Sequence, residues 1–300
     1  MPASGALAWF SRTGQADDRK FRDGQDLSAM PDHASKLDAE EQRQASDQAP
    51  PAAKVVHAAI IKSGEEELER PTSSLFWSAV AAGIAIMASV SVSGALHNRL
   101  PEAPWREVVV ALGYPAGFLI VVLGRMQLFT EQTVVAILPL ARETTLRNFG
   151  RVARLWALVL AGNLLGTAGV SAIAAFGHVQ SPEVLDGMTA VSAKLLERGG
   201  WETLAQAIPA GFLMAAVAWV RSAEDEFGFW IVLALTFAVG VCGFAHVVAG
   251  AAEAWLLLWT GHASLGWVFG GFLLPAIAGN IIGGTGLFAV LAHAQVRNEI

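Results

Sequence analysis

Beyond a polar first quarter, the chain becomes a series of long apolar stretches separated by short polar connections. Six stretches come near or exceed the roughly 20 residues needed to cross the hydrocarbon core of a bilayer. They predict membrane helices over about 75–96, 106–141, 152–176, 204–222, 228–259 and 265–294. The second and fifth are too long for one simple crossing. The second is interrupted midway by Gly124-Arg125-Met126-Gln127, and the fifth by Gly240, Gly243 and His246. Such interruptions predict helices broken near the bilayer centre, because irregular backbone is tolerated there only where it lines a cavity or packs within protein.

The apolar pattern also repeats. Residues 161–175, AGNLLGTAGVSAIAA, return at 278–292 as AGNIIGGTGLFAVLA, an offset of 117. Each copy closes a block of three apolar stretches. An odd number of spans turns the second block over in the membrane, which is the signature of an inverted repeat, an arrangement that builds transport pathways near the midplane. The same offset carries Phe129 onto His246, so the two interruptions fall at equivalent places. The expected architecture is all-α, six transmembrane helices in a 3+3 inverted repeat with helices 2 and 5 broken, and it favours a channel or transporter over an enzyme.

Composition divides the chain in two. Overall it is 54% hydrophobic, yet residues 1–70 carry 22 of its 46 formally charged side chains. That segment has too little apolar surface to fold alone and reads as largely disordered. Its end, residues 54–70, places Val55, Val56, Ala59 and Ile60 at helical spacing, which predicts a short amphipathic helix on the membrane surface. The channel domain is expected over 71–300. Much of the net charge of −6 lies in the tail, so it says little about partners. The single cysteine, Cys242, excludes an internal disulfide framework. No nucleotide-binding loop, zinc motif or metal-ligating cluster is present, so no cofactor or metal is expected. Nor is there a basic patch with interleaved aromatics for nucleic acid. The connection 142–154 carries Arg142, Arg147, Arg151 and Arg154. Basic connections face the cytoplasm, which with six spans places both termini there.

Few side chains in the apolar region can carry chemistry. His246 lies at the second interruption, and an ionisable group at membrane depth is a functional candidate by default. The structural alternative is a histidine bonded to nearby backbone. Leu128-Phe129-Thr130 follow the first interruption, and the Thr130 hydroxyl can serve a solute or cap a half-helix. Arg125, Glu131 and Glu253 are costly at this depth. They form a candidate charge network, with Arg125 and Glu131 flanking one break; the alternative is an ion pair that only fixes loops. Asn163 and Asn280 occupy the repeated AGN motif, where Asn can bond across closely packed helices.

The segments LFTE (128–131), AGNLLG (161–166), AGFLMAAVAW (210–219), GFAH (243–246) and AGNIIGG (278–284) resemble the formate/nitrite transporter family in order and spacing, over about 70–296. The resemblance implies an aquaporin-like protomer, a homopentamer with one pore per protomer, and passage of small monovalent anions such as formate or nitrite, often with a proton. It implies that His246 is the central histidine, Thr130 the loop threonine, Leu128 part of a constriction and Lys194 the outer-vestibule lysine. Three positions depart from the family pattern. Ala245 replaces a glutamate common before the histidine, Gly211 falls where formate channels carry asparagine, and the aromatic constrictions fall on Tyr114 and Val239. The expected protein is an inner-membrane channel or secondary transporter for a small weak-acid anion, proton-linked through His246. The alternatives are a neutral-solute pore, suggested by small lining residues at Gly211 and Val239, and a non-transporting scaffold whose tail binds a partner.

Overall fold

A computed structural model describes residues 51–224 and 226–299, all of whose regular elements are helical. Of the 1–70 segment read as largely disordered, residues 1–50 lie outside the described residues, and Ala53–Glu69 is helical. The chain runs through α1 (Ala53–Glu69), α2 (Thr72–Arg99), α3 (Arg106–Leu123), α4 (Phe129–Val135), α5 (Ile137–Arg142), α6 (Leu146–Phe176), α7 (Pro182–Ala193), α8 (Gly200–Ala223), α9 (Gly228–Val241), α10 (Val247–Trp259) and α11 (Trp267–Val296). Five of these, α2, α3, α6, α8 and α11, are long and apolar enough to cross a membrane. The fifth apolar stretch of the sequence instead forms two shorter helices, α9 and α10, around a break at 242–246. The second is likewise cut, between α3 and α4.

Local chemistry sets the helix ends. Thr145 caps α6 by accepting from the Asn148 N–H, and Ser181 caps α7, with Pro182 at the first helical position. The two breaks share one device. At the first, Arg125 N donates to Val122 O (3.2 Å) and Met126 N to Val121 O (2.9 Å). At the second, Gly243 N donates to Gly240 O (3.1 Å) and Phe244 N to Val239 O (3.0 Å). Both are Schellman-type endings with one left-handed residue: Arg125 at φ 51° and Gly243 at φ 66°.

The helix packing is likewise duplicated. In α6, a Cβ on Gly166 would lie 2.3 Å from Val80 O of α2; in α11, a Cβ on Gly283 would lie 1.9 Å from Ile208 O of α8. Only glycine permits backbones to approach this closely. These two glycines are 117 residues apart, and their partners, Val80 and Ile208, are 128 apart. The pairing α2 with α6 therefore recurs as α8 with α11. The second copy is wound as π-helix over Trp267–Leu273 and Ile282–Ala289.

The helix expected over 54–70 forms as α1, Ala53–Glu69, but its apolar face turns into the protein rather than standing free at a membrane surface. Val56, Ile60 and Ile61 bury against Val134, Val135, Leu138, Ala215, Ala218 and Ala289. The Arg154 guanidinium fastens its end by donating to Leu68 O (3.1 Å) and Arg70 O (3.3 Å).

Candidate functional site

The repeated asparagines hold the two breaks. Asn163 Oδ1 accepts the Phe129 N–H at 2.9 Å, and its Nδ2 donates to Ala79 O (2.8 Å) and Gln127 O (2.9 Å). Asn280 Oδ1 accepts the Val247 N–H at 2.9 Å, and its Nδ2 donates to Ala207 O (2.8 Å) and Ala245 O (2.9 Å). Both amides are fully buried. Each satisfies the backbone that its break exposes, which would otherwise be orphaned in an apolar interior. An arginine also meets a carbonyl at each break: Arg221 donates to Val122 O (3.0 Å) and Arg198 to Gly243 O (2.8 Å).

This scaffold brings the starts of α4 and α10 together. Thr130 Oγ1 and His246 Nε2 lie 2.7 Å apart, and both residues are buried. His246 also caps α10, its Nδ1 accepting the Ala249 N–H at 3.1 Å. A nitrogen that accepts from a backbone amide carries no proton, so the neutral ring bears its proton on Nε2 and donates to Thr130. The Thr130 hydroxyl hydrogen is then left to donate elsewhere. The Phe118 ring stands edge-on to His246 (centroids 4.9 Å) and is stacked on Tyr114 (5.2 Å).

Two cavities adjoin the breaks. One, of about 340 Å³, lies beside the first break under α1, and its lining includes Glu67, Arg125, Gln127, Glu131 and Arg221. A hydrogen-bonded chain spans it: Gln132 Nε2 donates to Gln127 Oε1 (2.9 Å), and Gln127 Nε2 donates to Glu67 Oε2 of α1 (3.0 Å). The other, of about 110 Å³, lies beside the second break, and its lining includes Tyr114, Lys194, Arg198, Val239 and Glu253. There Lys194 Nζ is ion-paired with Glu107.

The structure therefore sorts the residues singled out in the sequence. His246 and Thr130 are in direct contact. Lys194, Tyr114 and Val239 share the second cavity. Leu128 and Phe129 are buried and line neither cavity; the Phe129 ring packs edge-on to Trp156 at 5.8 Å. Gly211 does not widen a lining: a Cβ there would lie 2.2 Å from Asn280 O, so it serves the contact of α8 with α11. The three intramembrane charges do not form one network, because Arg125 and Glu131 line the first cavity and Glu253 the second. Arg221 of α8 lines the first cavity together with Arg125 and Glu131. Arg198, Arg221 and Phe118 were not anticipated. Arg198 lies in the bend before α8 and Arg221 in the last turn of α8, neither with a periodic signal, and Phe118 reads as one more apolar residue. Only its spacing of four from Tyr114, one helical turn, links it to a position already singled out.

A sequence model described as Formate/nitrite transporter matches residues 54–294. The Inner membrane protein YfdC of Escherichia coli (strain K12) is 36% identical over 255 residues, covering 85% of this chain and 82% of that protein. The Uncharacterized transporter YrhG of Bacillus subtilis (strain 168) is 26% identical over 251 residues, 78% of this chain and 91% of that one. Among solved structures, a pentameric formate channel with formate bound superposes with TM-score 0.65 at 17% identity, over 76% of this chain and 98% of that one. An FNT family ion channel superposes with TM-score 0.68 at 18% identity, over 81% and 98%. The chain belongs to the formate/nitrite transporter family and shares the fold of these channels.

Proposed function

We propose that this member of the formate/nitrite transporter family is an inner-membrane channel or secondary transporter for a small monovalent weak-acid anion, formate or nitrite in type, moved together with a proton. The observation that carries this reading is the His246–Thr130 contact of 2.7 Å, buried where two half-helices start, with a cavity adjoining each of the two breaks. An anion entering an apolar constriction loses its hydration at high cost, whereas its neutral acid crosses far more easily. The Thr130 hydroxyl supplies a donor to the solute, and His246 holds that hydroxyl in place. The proton linkage passes through this histidine in the sense that the proton-bearing solute is held there. Phe118 packed against His246 and the small Val239 of the second cavity place apolar groups around the pair, which disfavours ions.

The likeness to a pentameric formate channel supports a homopentamer with a path through each protomer; the inverted halves and cytoplasmic termini are proposed from the 117-residue repeat and the basic 142–154 connection. In that orientation the α1 cavity opens inward and the Lys194 cavity outward. A neutral-solute pore loses one of its two supporting positions, since Gly211 packs between helices.

The test is a flux screen of the purified protein in liposomes, with formate, acetate, nitrite, hydrosulfide and glycerol offered at two pH values. Saturable uptake of one or more anions, faster at the lower pH, is expected. Glycerol swelling without anion uptake would overturn the reading, and absence of any flux would favour a scaffold.

A further inference from the structure

Resting on that reading, we propose that Glu253 is the proton-exchange residue of the Lys194 cavity, protonating the anion before it passes Phe118. In the exchange the O–H bond of the Glu253 carboxyl breaks and an O–H bond forms on the anion. The negative charge stays on Glu253 until hydronium from the adjoining bulk water restores its proton.

Four observations converge on this residue. First, the basic groups of the cavity are engaged. Lys194 is ion-paired with Glu107, and Arg198 donates to Gly243 O at 2.8 Å. Among the described residues no hydrogen bond or ion pair reaches Glu253, which is half-buried and lines the space. Second, His246 is poorly placed to give up or take on a charge. Its Nδ1 accepts the Ala249 N–H, so a second ring proton would break the cap of α10. Third, the Tyr114–Phe118 stack lies between the cavity and the imidazole, so charge is best removed before that apolar ring. Fourth, Glu253 lies seven residues along α10 from His246, two turns on the same face and roughly 10 Å away along the axis. A carboxyl there is one step ahead of the His246–Thr130 pair along a common path. The charged and titratable groups that face it are Lys194, Arg198, Glu107 and Tyr114. An unprotonated Glu253 repels an incoming anion; a protonated one admits it and carries the proton it needs.

The test measures formate uptake by liposomes holding the full-length protein, with protein-free liposomes subtracted, across external pH of about 5 to 8. Wild-type uptake is expected to rise as pH falls. In Glu253→Gln the acid-side rate should drop by about a hundredfold, the scale of a lost general acid, and the profile should flatten, while size and thermal midpoint stay unchanged. Glu253→Asp should keep the dependence with a displaced midpoint. A Gln variant with the wild-type rate and profile would overturn the assignment. If the Gln variant fails to assemble, an Asp variant whose profile is unmoved overturns it equally. Wild-type liposomes without formate uptake would instead bring down the functional reading itself.

Discussion

At the scale of single residues, both ring nitrogens of His246 are spent within the protein, one on the cap of α10 and one on Thr130. The asparagines behave similarly, each making three bonds to backbone at one break. Removing either amide leaves a buried N–H and two carbonyls short of a partner, at about 1–3 kcal/mol for each orphaned group. Asn163→Ala and Asn280→Ala are therefore expected to lower the thermal midpoint in detergent by similar amounts. A large loss for one and none for the other would break the equivalence of the two halves. The charges offer a second test. Arg221 and Arg125 both line the cavity of Glu131, so double-mutant cycles of Glu131→Gln with Arg221→Met and with Arg125→Met should each show coupling, and additive losses in both would mean the carboxyl pairs with neither. The sequence pointed to Arg125, which is near in the chain; Arg221 comes from another helix, and no sequence spacing reveals it.

At the scale of elements, α1 is a docked helix whose attachment depends on close contact and on a histidine pair. A Cβ on Gly64 would lie 2.1 Å from Val135 O, so Gly64→Ala should undock α1, seen as faster amide exchange over 53–69 without loss of the transmembrane helices. His57 is 1% exposed, with its Nε2 3.2 Å from His293 Nδ1. Burial, with His293 adding to it, holds His57 below the usual histidine value of 6.5. A base with a depressed value binds fewer protons when docked than when free. Docking is thus fully stable above about 6.5 and weakens as pH falls below it. Amide exchange over α1 should rise on acidification, and His57→Gln should remove that rise. The amphipathic spacing of 54–70 was legible from apolar positions alone. What those positions cover was not, because a helix face packs against protein or lipid with the same residues.

At the scale of the whole molecule, the 117-residue offset made the duplicated architecture legible. The offset relates positions whose backbone contacts recur: Gly166 with Gly283 and Asn163 with Asn280. The breaks were legible too, because glycines and polar residues interrupt the apolar runs. The cavities were not, since they join residues from distant segments such as Glu67 with Arg221 and Glu107 with Lys194. Much apolar surface remains outward, including Trp77, Leu165, Leu274 and Val290. Such surface must face lipid or neighbouring copies. Native mass measurement in detergent should give five copies of the 31.6 kDa chain; a monomer under mild conditions would contradict the proposed assembly. The central claim is passage of a weak acid at the His246–Thr130 pair, and its most direct test is labelled formate uptake into liposomes by wild type and His246→Asn. Asparagine also caps helices well, so α10 should stay intact. The account predicts an assembled variant with wild-type thermal midpoint and little or no proton-linked uptake. An assembled variant with unchanged uptake and unchanged pH dependence would contradict it.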